Sequence, residues 1–204
     1  MRAGSVERLR AIIAARARRI FDAERDVDHT GGYRPAPVRR AAVLVSIVGG
    51  EESPQLLLFE RTLEVADHKG EICFPGGSIE QSDVDPVSAA LREAKEELGI
   101  DPADVTVLGC LDDVHAVNSN YVITPVVGHI ETMPALVPDS TEVARPIVIS
   151  VADLSAPGAW TLERIKIAGV IREFEAHRID GGLIWGATAR ILRSFLAIWK
   201  EAQA

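Results

Sequence analysis

The stretch FPGGSIEQSDVDPVSAALREAKEELGI, residues 74–100, decides how the chain is read. Its second half predicts a helix with marked ends. Asp85 suits the N-cap, Pro86 the first helical position and Gly99 the C-terminal turn. Val87, Ala90, Leu91, Ala94 and Leu98 recur at the spacing of one buried face. Glu93, Glu96 and Glu97 fall on the flank of that stripe, within an arc of roughly 100°. Glu93 and Glu97 stand four apart with like charge, which costs about 0.2–0.5 kcal/mol in an isolated helix. Lys95 lies on a different face and does not separate them. For EAKEE alone, a solvated acidic face is the plain alternative. A divalent cation removes the conflict, because Mg²⁺ and Mn²⁺ favour hard carboxylate oxygens. Gly76 and Gly77 add a second feature: without a Cβ the backbone turns tightly, approaches a ligand and offers a carbonyl to a cation.

On either side of this helix the sequence is rich in β-branched residues. AAVLVSIV (41–48) and QLLLFERT (55–62) predict two strands joined by a hairpin-like connection through Gly49, Gly50 and Ser53-Pro54. EICFPGGSIE (71–80) reads as a short strand entering a glycine turn. VTVLGCLDDV (105–114), YVITPVVGHI (121–130) and PIVISV (146–151) predict three more strands. The C-terminal GGLIWGATARILRSFLAIWKE predicts a helix with Ile191, Leu192, Phe195, Leu196 and Trp199 on one side. Near the N-terminus, Leu9, Ile12, Ile13, Ile20 and Phe21 predict an amphipathic helix over 6–23. Its arginines resemble those of a transit peptide, but Glu7, Asp22, Glu24 and Asp26 favour a helix docked on the domain. DHTGGYRPAP (28–37) reads as a linker. The division expected is a helix and linker over 1–35 and one α/β domain over 36–204, its mixed sheet covered on both faces.

The formal net charge of the 204-residue chain is −8, which weighs against nucleic acid as a partner. An anionic small molecule remains compatible, because a bound cation reverses the local field. Cys73 and Cys110 lack metal-ligand spacing and read as buried thiols in a reducing, cytoplasmic setting. No apolar run is long enough to span a membrane. Trp160, Trp185 and Trp199 read as core or interface anchors.

Residues 76–100 resemble the Nudix box, with Gly77, Arg92, Glu93, Glu96, Glu97, Gly99 and Ile100 at matching positions. Asp83 stands where most of that superfamily has Glu, and one extra residue separates it from Arg92. The resemblance implies the Nudix fold, an α/β/α sandwich with a mixed sheet, here with extra N- and C-terminal helices. It also implies hydrolysis of a nucleoside diphosphate linked to another group. LLLFERTLEVADHKGEICFPGG (56–77) is similar to the signature of coenzyme A pyrophosphatases at Leu57, Leu58, Arg61, His68, Gly70 and Phe74 to Gly77. Asp83 and Asp85, YVITPVVGHI, Glu142-Val143 and IWGATARIL extend the similarity. Ala66, Phe59 and the NSNY run at 118–121 depart from it.

The roles implied are these. Glu93 and Glu97 bind Mg²⁺ or Mn²⁺, with Glu96 as a further ligand or as the base for water, and the Gly76 carbonyl completes part of the shell. Arg92 holds a carboxylate in its rotamer. Arg61, His68, Gly77 and Glu142 face the substrate, Glu142 also as a distant base or ligand; for Arg61 and His68 purely structural roles are the alternative. The partner expected is a small-molecule nucleotide diphosphate, with neither nucleic acid nor membrane, and a homodimer stays open. Coenzyme A or an acyl-coenzyme A is the substrate expected. ADP-ribose or NADH is the rival within the enzyme class, and a nucleotide-sensing module that does not cleave is the rival outside it.

Overall fold

The computed structural model describes residues 4–22, 26, 37–50, 52–64, 69–116, 119–167 and 169–204. Its centre is an eight-stranded sheet in the order β3-β2-β1-β7-β5, with β4 also on β1, β6 on β7 and β8 on β2. These strands are β1 (Arg39–Val48), β2 (Gln55–Arg61), β3 (Ile72–Cys73), β4 (Gly76–Ser78), β5 (Thr106–Cys110), β6 (Val114–Ala116), β7 (Tyr121–Ile130) and β8 (Val143–Ser150). β1 runs parallel to β7 from Arg39↔Tyr121 to Val48↔Ile130 while the other pairings are antiparallel, so the sheet is mixed as expected.

Alternation along β1 and β2 creates two cores. Val45, Ile47, Leu56 and Leu58 point to a face covered by helices α1 (Ser5–Ala15) and α4 (Gly186–Gln203). Ala42, Leu44, Leu57 and Phe59 point to the opposite face, where Ala90, Ala94 and Leu98 of helix α2 (Pro86–Leu98) pack. The result is the three-layered α/β/α arrangement. Helix α3 (Val151–Ser155) is a single short turn after β8. Among the described residues no helix is long and apolar enough to cross a membrane.

The structure corrects several boundaries. Helix α1 ends at Ala15, not Ala23, because Arg16 takes extended backbone angles (φ −82°, ψ 137°). Beyond it, Arg18 bonds the Asp113 carboxylate and the Thr124 hydroxyl, and the backbone N–H groups of Arg19 and Phe21 donate to Asp112 and Asp113. A helical course would forfeit this set of contacts. Phe21 is buried there, whereas Ile20, expected on the same apolar face, is exposed. The strand expected over 105–114 is broken at Leu111–Asp113 into β5 and β6, where buried Asp113 receives that segment. Gly76 and Gly77 lie in strand β4 rather than in a turn. A three-stranded meander beyond the strands predicted above follows α3: β9 (Thr161–Ile167), β10 (Val170–Ile179) and β11 (Gly182–Ile184). It takes the first residues of the expected C-terminal helix, which starts at Gly186 and buries the predicted Ile191, Leu192, Phe195, Leu196 and Trp199. The linker expected over 28–37 lies, apart from Pro37, outside the described residues.

Candidate metal and diphosphate site

Helix α2 presents the candidate carboxylates because both of its ends are fixed. The Asp85 side chain accepts from the Ser88 N–H at 2.8 Å, and the Ser88 hydroxyl accepts from the Asp85 N–H at 3.1 Å, a reciprocal cap. At the other end Gly99 takes left-handed angles (φ 73°). The N–H groups of Val137 and Asp139 donate to the Leu98 and Glu97 carbonyls at 2.9 Å each, meeting acceptors that a helix end leaves open. This docks the loop ahead of β8 onto the helix and brings Glu142, at the foot of that strand, toward Glu97.

Glu97 is buried, 4% exposed, unlike most glutamates. Its Oε2 accepts from the Gly76 N–H at 2.8 Å, and its Oε1 lies 3.5 Å from Arg61 Nη1. Burial pushes its carboxyl pKa up to about 8, against the pull of that hydrogen bond and of Arg61. Glu93 is shifted in the same direction, again chiefly by burial. Its carboxylate rests directly on Gly77: a Cβ there would sit 2.4 Å from Glu93 Oε1. The two glycines therefore divide the work, Gly76 binding one carboxylate and Gly77 making room for the other.

Arg92 is the organiser. Its Nε and Nη2 bond both oxygens of Asp83 at 3.1 and 3.0 Å, its Nη2 also donates to the Ser78 carbonyl at 3.1 Å, and its Nη1 reaches Glu93 Oε1 and Glu96 Oε2 at 3.0 Å each. Asp83, whose loop position has no evident task in the sequence, is the anchor for this guanidinium. The hydrogen bonds from Arg92 hold its carboxyl below the ordinary range. Its signal was an acidic residue nine positions ahead of an arginine, readable only once the loop folds back on the helix. Glu96 is joined to the cluster through Arg92 and is otherwise turned to solvent, its side chain 58% exposed.

Arg61 lies between two carboxylates, with Nη2 2.9 Å from Glu142 Oε2 and Nη1 facing Glu97. Cys73 stands opposite Phe59 across β2 and β3, and burial pushes its thiol up to about 12, so it stays protonated. His68 lies outside the described residues. Arg61, Gly76, Gly77, Arg92, Glu93, Glu97 and Glu142 thus form one neighbourhood, with Glu96 at its rim.

In this geometry arginines and a backbone N–H hold the carboxylates, and among the described residues no three Asp, Glu, Cys or His side chains converge on one ion. The donor set nevertheless suits a divalent cation. Two carboxylates are pressed into a partly dry site where their own charge is disfavoured, and a cation offsets that cost. Gly77 pairs with Ala42 on β1, so Gly76 occupies the alternate ladder position, whose N–H and C=O face away from β1 and toward Glu97. Its carbonyl is thereby available as a hard oxygen donor.

A family model described as the NUDIX domain matches residues 38–165. The "Uncharacterized Nudix hydrolase NudL" of Escherichia coli O7:K1 is 37% identical over 160 residues, covering 76% of this chain and 80% of that protein. The protein of the same description from Shigella flexneri is 36% identical over 165 residues, covering 78% and 82%. Among solved structures, a MutT/nudix family protein from Enterococcus faecalis superposes with a TM-score of 0.54 at 13% identity, covering 98% of this chain and 76% of that one. The last likeness concerns the fold alone.

Proposed function

The chain belongs to the Nudix family of diphosphate hydrolases, and from that premise we propose that it cleaves the diphosphate bridge of coenzyme A or an acyl-coenzyme A. The observation that carries the chemistry is the pair Glu93 and Glu97, packed against Gly77 and Gly76 with burial raising both carboxyl pKa values. Glu93, Glu97 and the Gly76 carbonyl would hold Mg²⁺ or Mn²⁺, with Glu96 close enough through Arg92 to join them. Bound there, the cation supplies charge neutralisation at the phosphates and a water of lowered pKa.

The chain's own residues do the rest. Arg92, locked bidentately on Asp83, holds Glu93 in its rotamer. Arg61 exchanges Glu142 for a substrate phosphate, its fork matching phosphate oxygens. Glu142, released, accepts a proton from the attacking water. The water oxygen bonds to one phosphorus, the P–O bond to the bridging oxygen breaks, and that oxygen leaves on the other phosphate. With coenzyme A the products are 4′-phosphopantetheine and adenosine 3′,5′-bisphosphate.

The choice of coenzyme A is supported by Leu57, Leu58, Arg61, Gly70 and the FPGG run at 74–77, in the order of the signature. Two free cysteines accord with a reducing, cytoplasmic setting. The test is incubation of purified protein with coenzyme A, acetyl-coenzyme A, ADP-ribose and NADH in Mg²⁺ or Mn²⁺, with products identified by mass. The highest kcat/KM is expected for coenzyme A or its acyl ester, with turnover lost in Glu97→Gln. A clear preference for ADP-ribose or NADH would overturn the substrate choice, and metal-dependent turnover untouched by Glu97→Gln would overturn the site.

A further inference from the structure

Glu142 stands in a short turn just before β8, not on a regular element, and that turn is built around one residue. The Asp139 carbonyl accepts from the N–H groups of Glu142 and Val143 at 3.1 and 2.8 Å. The Asp139 carboxylate closes the turn from within, its Oδ1 accepting from the Thr141 N–H and hydroxyl at 2.8 Å each. The Asp139 N–H donates to the Glu97 carbonyl at 2.9 Å. One residue thus ties the turn that carries Glu142 to the helix residue whose side chain reaches Gly76.

A second tie comes from β2. Thr62 donates its N–H to the Glu142 carbonyl at 2.8 Å and its hydroxyl to the Thr141 carbonyl at 2.9 Å. The strand register prepares this contact: Glu60 pairs with Arg145 but Arg61 with Val143, an irregularity that re-aims the foot of β8. The main chain at Glu142 is therefore held by α2 on one side and by β2 on the other. Between them Arg61 spans from Glu142 Oε2, 2.9 Å from its Nη2, to Glu97 Oε1, 3.5 Å from its Nη1. Asp139 and Thr141 are exposed, where water serves such groups and each internal bond adds little to stability. What the set of bonds supplies is a fixed position for Glu142.

We propose that Asp139 is a positioning residue for hydrolysis, setting the distance of Glu142 from the helix that carries Glu93 and Glu97 while touching neither substrate nor metal. This rests on the reading of Glu142 as the base for the attacking water.

Steady-state kinetics in Mg²⁺ on coenzyme A, with ADP-ribose and NADH in parallel, test it in wild type, Asp139→Ala, Asp139→Asn, Glu142→Gln and the Asp139→Ala/Glu142→Gln double variant. Asp139→Ala should lower kcat about tenfold, as misplacing a reacting group by about 1 Å does, with KM moving less. Its thermal midpoint should stay within about 4 °C of wild type. Asp139→Asn keeps the accepting oxygen and should recover most of the rate. Glu142→Gln should cost about 100-fold or more, and adding Asp139→Ala to it should cost nothing further. A role in folding alone would instead lower the rate by the same factor in both backgrounds. That result, Asp139→Ala at the wild-type rate, or Asp139→Asn as slow as Asp139→Ala overturns the proposal and leaves Glu142 as the base. Glu142→Gln at the wild-type rate overturns the base and the role of Asp139 with it, and a wild type that turns over none of the three substrates overturns the function together with both.

Discussion

Gly76 and Gly77 are neighbours with different constraints, and substituting them separates placement of the site from stability of the fold. A Cβ on Gly77 meets the far end of the Glu93 side chain at 2.4 Å, which can swing away without moving backbone. A Cβ on Gly76 meets the Ala42 carbonyl oxygen at 2.3 Å, at a φ of +155° that side chains rarely adopt. Gly77→Ala is therefore expected to keep the thermal midpoint within a few degrees while cutting metal-dependent kcat at least tenfold. Gly76→Ala should lower the midpoint itself, by a core clash costing about 1–3 kcal/mol. Thermal melts beside initial rates check both, and a fully active Gly77→Ala would show that the position of Glu93 does not matter. At this scale the helical carboxylates were legible because a 3.6-residue period fixes their neighbours. The Arg61–Glu142 pair was not, because these residues are 81 apart in sequence and meet only when β2 lies beside β8. Nor was the Arg92–Asp83 fork, which needs the loop folded back.

Helix α2 is held in register by its caps, and the rest of the site hangs from it. Asp85→Ala removes the acceptor for the Ser88 N–H and should cost about 1 kcal/mol. For a chain of this size that is a fall of about 2–4 °C in thermal midpoint. Because the carboxylates lie about two to three turns further on, activity of the folded variant should change far less than in Gly77→Ala. A loss of activity as large as that of Gly77→Ala would mean that the helix entry, not its middle, controls the site. The ends of α2 were readable from Asp85, Pro86 and Gly99, since cap chemistry is local. The end of α1 was not: the contacts that draw residues 17–22 out of the helix come from Asp112, Asp113 and Thr124, far along the chain. The β9–β11 meander left a clearer trace. Asp180-Gly181 is a two-residue hairpin turn, with Gly181 at φ +76°, between segments of alternating character.

For the whole molecule, the buried carboxylates make stability depend on pH. Glu97 ordinarily titrates near 4.5 and here near 8, so between those values the folded protein keeps a proton that the unfolded chain has lost. The stabilisation is complete below about pH 4.5 and is lost as pH rises through 8; Glu93 adds in the same direction. The metal-free protein should thus melt at progressively lower temperature from pH 5 to 8.5, and Glu97→Gln should flatten that slope. A metal-free slope that Glu97→Gln leaves unchanged would mean that Glu97 titrates normally. A divalent cation must displace the proton, so its stabilising effect should grow over the same range. The layered fold, with helices on both faces of a mixed sheet, was legible from strand and helix periods, whereas the strand order was not, because pairing is decided by the folded chain as a whole. The central claim is that Glu93 and Glu97 crowd together to hold a divalent cation. Isothermal titration of Mn²⁺ at pH 8 into wild type and a Glu93→Gln/Glu97→Gln double variant tests it most directly. Saturable binding in wild type that vanishes in the folded double variant is the predicted result, and equal Mn²⁺ affinity in both would contradict it.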